Sequence, residues 1–287
     1  MSYSKSCRKS SPKNKIDLHV HTTASDGAYS PCEIVHLAQQ KGIKYLAITD
    51  HDTTAGLAAA AEECRKYELE FIPGIEFSTI YEEYELHILG YNFKQKNERM
   101  QETIQLLQKA RVSRIEKMVA KLAGLGIYID MNEVRNKASA KNLGRVHLAL
   151  VLIDKGVVNS IAEAFMKYLD PGCAAFIPRF KFTPCLAIEI IKEAKGIPVL
   201  AHPGLIDYDP IISLLAENGL QGLEVFHPRH SQEEEDKYGE IAQKYNLFIT
   251  GGSDFHGHEE HDLTSFGEMK VPLNSIKLLH PEFCSRS

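Results

Sequence analysis

His19 and His21 stand two apart in the run Ile16-Asp17-Leu18-His19-Val20-His21, so on an extended strand both imidazoles face one side. Asp26 follows in the next loop. The same kind of residue recurs along the chain. Asp50-His51-Asp52 closes a second short apolar run, Glu76 closes a third, and His87 lies within a fourth. His202 closes a fifth run and His227 a sixth, while Asp254 and His256, again two apart, end the last. Imidazole and carboxylate ligands without thiolate suit Mn, Fe or Zn rather than soft copper sites. One catalytic zinc takes three protein ligands and a water. About ten candidate ligands exceed one such site and suit two or three ions, an arrangement that acidifies water and clamps the oxygens of a phosphoryl group.

These residues need elements that bring them together. The runs 16–21, 45–51, 70–76, 85–90, 197–202, 223–227 and 247–254 are short, mostly apolar and rich in β-branched residues, as strands buried on both faces should be. Helical patterns separate most of them. Ser30-Pro31-Cys32-Glu33 carries a Ser cap, a Pro at the first helical position and a Glu at the third. Residues 54–67 are Ala-rich, Thr183-Pro184 opens another helix, and Ser231-Gln232-Glu233-Glu234 caps one running to about Tyr245. Strands alternating with helices predict a parallel sheet or barrel, whose strand C-termini converge on one rim. Between about Glu98 and Lys167 the rhythm breaks. Met100 to Leu125 reads as one long amphipathic helix, with Ile104, Leu107, Ile115, Val119 and Leu122 on a stripe, and Ser160 to Glu163 as a further capping box. The expected organisation is a flexible tail over 1–15, a βα barrel over 16–97 and 179–287, and a helical insertion over 98–178.

With 287 residues the chain is long enough for a sizeable core. Its 33 basic and 38 acidic residues leave a net charge of −5, which argues against broad binding to nucleic acid and duplex DNA in particular. No stretch is apolar enough for a membrane span, and the Ser/Lys-rich N-terminus lacks a signal-peptide core, so a cytoplasmic location is expected. The six cysteines lack any CxxC pair and read as free thiols. His36, His258, His261 and His280 read as ordinary structural histidines.

The segment from Asp17 to Gly27 (Asp-Leu-His-Val-His-Thr-Thr-Ala-Ser-Asp-Gly) resembles the opening motif of the PHP (polymerase and histidinol phosphatase) family. Ile48 to Asp52, Pro73 to Glu76, Ala201-His202-Pro203 and Gly252 to Gly257 resemble its remaining motifs, and the likeness runs from about Ile16 to Pro272. The resemblance implies a distorted seven-stranded βα barrel, TIM-like, with three divalent ions, manganese first and iron or zinc as alternatives. Carried onto matching positions, it implies one ion on His19, His21, Glu76 and Asp254, a second on Glu76, His87 and His202, and a third on Asp26, His51 and His256. The Ser25-Asp26-Gly27 form resembles the stand-alone phosphoesterases of the family.

Three segments bear on substrate. Asn142 to Leu148 resembles the Gly-Arg-x-His segment of the family's nucleotide phosphatases, which makes Arg145 and His147 candidate phosphate contacts at a helix start. Ile177 to Phe182 interleaves Arg179 and Lys181 with Phe180 and Phe182, a pattern able to hold a phosphate and stack a base. His227 and His230 follow the sixth strand and are candidates for substrate contact or leaving-group protonation. Arg145 would neutralise charge on the equatorial phosphoryl oxygens. The resemblance thus implies a metal-dependent phosphatase that removes the 3′-phosphate of a nucleoside 3′,5′-bisphosphate. A 5′-to-3′ exonuclease on short RNA is the alternative, followed by a phosphatase of another small ester such as histidinol phosphate.

Overall fold

The computed structural model describes residues 15–138, 142–206 and 208–279. Its seven strands are β1 (Lys15–Asp17), β2 (Ile43–Ile48), β3 (Glu70–Tyr81), β4 (Tyr84–Tyr91), β5 (Ile197–Leu200), β6 (Gly222–Phe226) and β7 (Phe248–Gly251). They form one sheet in chain order. Helices α1 (Pro31–Lys41) and α2 (Leu57–Lys66) make the first two crossovers. After β4 come α3 (Glu98–Gly124), α4 (Met131–Lys137), α5 (Arg145–Asp154) and α6 (Ile161–Ala164), the last running into a π-helical turn over Phe165–Leu169. Helix α7 (Pro184–Glu193) returns the chain to β5, and α8 (Pro210–Glu217) and α9 (Gln232–Lys244) make the last two crossovers. Helices α10 (Glu260–Ser265) and α11 (Leu273–Leu279) follow β7.

An isolated parallel bridge pairs Val20 with Phe255, and the His21 N–H donates to the Phe255 carbonyl at 2.9 Å. The first and last edges of the sheet therefore meet, which curls it toward a barrel. A Cβ at Gly252 would lie 2.4 Å from the backbone nitrogen of His19, so only glycine allows this close approach. The inner space is filled by Ile16, Leu18, Tyr45, Ala47, Leu89, Tyr91, Val199 and Ala201, with Ile276 and Leu279 of α11 in the same cluster. Glu76 and His87 share the parity of Ile72, Leu89 and Tyr91 and so face inward with them, whereas His19 and His21 turn inward only because the chain leaves regular strand after Asp17.

The sheet is mixed, not wholly parallel as the alternation of elements suggests. Strand β4 runs antiparallel to both β3 and β5. The reason lies beyond Glu76: Phe77 to Tyr81 continue β3 and pair back on Tyr84 to Ile88 across a two-residue turn at Glu82-Glu83. A two-residue connection can join only antiparallel neighbours. Glu76 consequently sits in mid-strand, opposite Leu89.

The amphipathic stripe of α3 serves two cores. Met100, Ile104 and Leu107 pack into the main core between sheet and helices. Ile115, Met118, Val119 and Leu122 pack with residues of α4, α5 and α6 into a second cluster confined to Val112–Ile177. The capping boxes at Ser30 and Ser231 form as the sequence predicts. The four described cysteines are free, and Cys64 is the buried one. Among the described residues no helix is long and apolar enough to cross a membrane.

Candidate metal centre

Glu76 is the hub. Its carboxylate lies 3.3 Å from His19, 3.2 Å from His21, 2.9 Å from His51, 2.8 Å from His87 and 3.2 Å from His202. Asp254 lies 3.3 Å from His19 and 3.1 Å from His21, and Asp26 lies 3.6 Å from His256. Three groups have ligand atoms all within 4.8 Å of one another: His19, His21, Glu76 and Asp254; His51, Glu76 and His87; and His21, Asp26, His51 and His256. Each can hold a divalent ion. The donor atoms fit such a guest, since His19 Nε2, both ring nitrogens of His21, His51 Nδ1, His87 Nδ1 and Glu76 Oε2 are buried without a hydrogen-bond partner. Buried polar atoms left unpaired at this density call for a ligand.

The electrostatics agree. Burial alone would raise the Glu76 carboxyl, but the imidazoles of His51, His87 and His19 outweigh it and hold it well below its ordinary value. Burial likewise opposes charge on His19, yet Glu224, Glu76 and Asp254 together raise it well above the usual range. His51 goes the other way, down to about 4, because burial dominates there. The backbone is strained at the rim: Asp52, His202 and Asp254 adopt φ of +49°, +26° and +51°. Non-glycine residues in this region cost about 1–3 kcal/mol each and cluster at functional sites.

Beside this centre opens a cleft of about 630 Å³, lined by His51, His87, His202, Asp254 and His256 together with four arginines, Arg111, Arg114, Arg145 and Arg179. The family model for the PHP domain matches residues 17–179. The chain belongs to the PHP domain family. This PHP chain is 34% identical over 247 residues to the 5′-3′ exoribonuclease Rnm of Escherichia coli, covering 84% of each chain. It is 32% identical over 251 residues to the 3′,5′-nucleoside bisphosphate phosphatase of Chromobacterium violaceum, covering 85% of this chain and 88% of that one. A predicted metal-dependent phosphoesterase from Bifidobacterium adolescentis has a solved structure with a TM-score of 0.86 at 27% identity, covering 93% of this chain and 96% of that one. This PHP protein is a metal-dependent phosphoric ester hydrolase.

All nine residues matched to the PHP ligands meet at this centre, with two regroupings: His51 takes the place of His202 beside Glu76 and His87, and His21 joins Asp26, His51 and His256. His202 faces Glu76 but belongs to none of the three tight groups, whereas His51 is shared by two. The substrate candidates separate more. Arg145 and Arg179 line the cleft. Phe180 and Lys181 are exposed and Phe182 is buried in the main core, edge-on to Phe77, so Phe182 is not free to stack a base. His147 is buried, and its Nδ1 accepts from the Gly144 N–H at the start of α5. His227 lines the cleft. His230 does not: its Nδ1 donates to the Val225 carbonyl, which leaves Nε2 to accept from the Gly204 N–H. With both nitrogens engaged, His230 braces the turn after His202 instead of facing substrate.

Sequence reasoning missed several residues. Glu224, fully buried on β6, accepts from His19 Nδ1 at 3.0 Å and from the His202 N–H at 2.9 Å. Its signal was a carboxylate inside the apolar run Leu223-Glu224-Val225. Arg111 pairs with Asp52 at 2.6 Å and donates to Ser78 at 2.9 Å, and Asn142 donates to the His51 carbonyl. Arg111 falls midway between Leu107 and Ile115 on the α3 stripe, where a cation is out of place unless it has a partner. His258, read as structural, lines the cleft and donates to the Asp26 carbonyl at 2.6 Å. Carboxylates that orient a ligating imidazole typically contribute 10- to 100-fold in metal affinity. Glu224→Gln is therefore expected to weaken metal binding by about 10- to 100-fold; competition with a metallochromic chelator measures it, and wild-type affinity would remove Glu224 from this role.

Proposed function

We propose that this PHP enzyme hydrolyses the P–O3′ bond of a small nucleotide that also carries a 5′-phosphate, with a nucleoside 3′,5′-bisphosphate as its preferred substrate. The observation that carries the reading is the second cationic face of the cleft. Arg114, Arg145 and Arg179 converge on Glu85 in the cleft that the ligand cluster also lines, in a volume suited to one small molecule. A substrate with one phosphate on each face fits that division. The helical insertion, residues 98–178, supplies Arg111, Arg114 and Arg145, and the chain returning to the barrel supplies Arg179.

In this reading the nine residues hold three ions, with manganese first and iron or zinc as alternatives. His19, His21, Glu76 and Asp254 form the first set, His51, Glu76 and His87 with His202 the second, and Asp26, His51 and His256 with His21 the third. Bound ions acidify water and offset charge on the phosphoryl group. Arg145 and Arg179 fix the 5′-phosphate as charge-assisted donors. Water adds to phosphorus, the P–O3′ bond breaks, and the 3′-oxygen leaves with a proton. The products are the 5′-monophosphate and inorganic phosphate.

The 34% identity to an enzyme named a 5′-3′ exoribonuclease favours a second reading on the same residues. In a 5′-phosphorylated RNA the same P–O3′ cleavage releases a 5′-mononucleotide and leaves a 5′-phosphate on the remainder. The test is manganese-loaded enzyme with adenosine 3′,5′-bisphosphate, scoring released phosphate and the nucleotide formed. Conversion to the 5′-monophosphate is expected. No release, with mononucleotides appearing from a short 5′-phosphorylated RNA, would replace the first reading by the second.

A further inference from the structure

The arginines of the second face share one counter-ion. Glu85, near the start of β4, places Oε2 at 3.2 Å from both Arg145 and Arg179 and Oε1 at 3.9 Å from Arg114. Asp170, half exposed behind Arg145, lies 3.6 Å from it. Three guanidiniums against two carboxylates leave 3 − 2 = +1 at this spot. The donors are not used up. Arg114 Nη2 and Arg179 Nε are buried and face Glu85 at 3.9 and 3.2 Å without completing a hydrogen bond to it, and the Arg114 side chain is only 8% exposed. Buried guanidinium donors so loosely paired leave room for a further anion. Yet the carboxylate of Glu85 already stands among them.

We propose that Glu85 is a specificity-determining residue: it limits the negative charge accepted beside the metal centre, admitting a single terminal phosphate and rejecting a di- or triphosphate at the same position. The inference rests on the reading that these arginines anchor the substrate's 5′-phosphate. A terminal phosphate dianion takes the local charge from +1 to −1. A triphosphate brings about four charges, so the excess is pressed against Glu85 in a cleft where solvent screens it poorly. Like charges in contact are how charged sites exclude wrong partners. The amide of Glu85→Gln keeps the shape and one acceptor for the guanidiniums while removing the repulsion.

The experiment compares kcat/KM for adenosine 3′,5′-bisphosphate, adenosine 3′-phosphate 5′-triphosphate and adenosine 3′-monophosphate at one free Mn²⁺ concentration. Wild-type enzyme is expected to prefer the bisphosphate over the triphosphate by about 100-fold. Glu85→Gln is expected to narrow that ratio by about tenfold, and Glu85→Asp, which keeps the charge, to retain it. An unchanged ratio in Glu85→Gln, or no preference in the wild type, overturns the proposal and leaves the anchor standing. Equal turnover of adenosine 3′-monophosphate and the bisphosphate by wild-type enzyme removes the anchor itself, and this inference with it. Should Glu85→Gln fail to fold, Asp170→Asn tests the same point: a narrower ratio supports the charge limit, and an unchanged one overturns it.

Discussion

Glu76→Gln will abolish turnover and strip metal from the protein. The carboxylate faces five imidazoles within 3.3 Å and belongs to two of the three ligand groups. No other residue touches as much of the centre. The amide retains an oxygen but loses the charge that offsets two cations. Turnover should fall by more than the roughly 100-fold that marks loss of an orienting partner, and metal content per chain should drop in the same sample. The metal-free protein should respond as well. The Glu76 carboxyl is held well below its ordinary value, so it stabilises the fold above the usual carboxylate range. That contribution is lost as pH falls through the lowered value. Metal-free wild type should therefore melt higher than the variant near neutrality, with the gap closing in acid. Full metal content with near-normal turnover would remove Glu76 from the centre.

Most of the clustered residues were legible because they follow strand ends, although Glu76 and His87 prove to lie within β3 and β4. Each of Asp17 to His21, Asp50 to Asp52 and Gly252 to His256 carries its residues on a short local pattern, and the fold closes around them. Val20 illustrates the physics: it pairs with Phe255 and turns into the apolar core, which sends His19 and His21 together to the other side. The antiparallel β4 was harder to read. Its sequence alternates like any strand, and the deciding feature is the turn at Glu82-Glu83, where Glu82 takes a φ of +54° without a glycine to announce it. The second face of the cleft was read only in part. Arg145 and Arg179 stand in recognisable segments, but Arg111, Arg114 and Glu85 come from α3 and β4, which meet only when the insertion folds back on the barrel. Glu85 meets Arg114 across 114 − 85 = 29 positions and Arg179 across 179 − 85 = 94, and such partnerships leave no local pattern. What they do leave is a charge in an apolar register, as at Arg111 and Glu224.

His227→Gln will separate proton transfer from binding. The Arg229 N–H donates to His227 Nδ1 at 3.2 Å, so the neutral ring carries its proton on Nε2. That atom is buried, has no hydrogen-bond partner, and lies 3.5 Å from Asp254 in the lining of the cleft. In the proposed reaction it would give its proton to the departing 3′-oxygen, a role His230 cannot share with both nitrogens bonded to backbone. A ribose oxygen is a poor leaving group and needs that proton; p-nitrophenolate does not. The variant should lose about 10²- to 10⁴-fold in kcat on the bisphosphate and far less on p-nitrophenyl phosphate. Metal content should stay near wild type, since His227 lies outside the three ligand groups. Equal losses on both substrates would mean that His227 holds phosphate or metal, and the leaving oxygen would then take its proton from water.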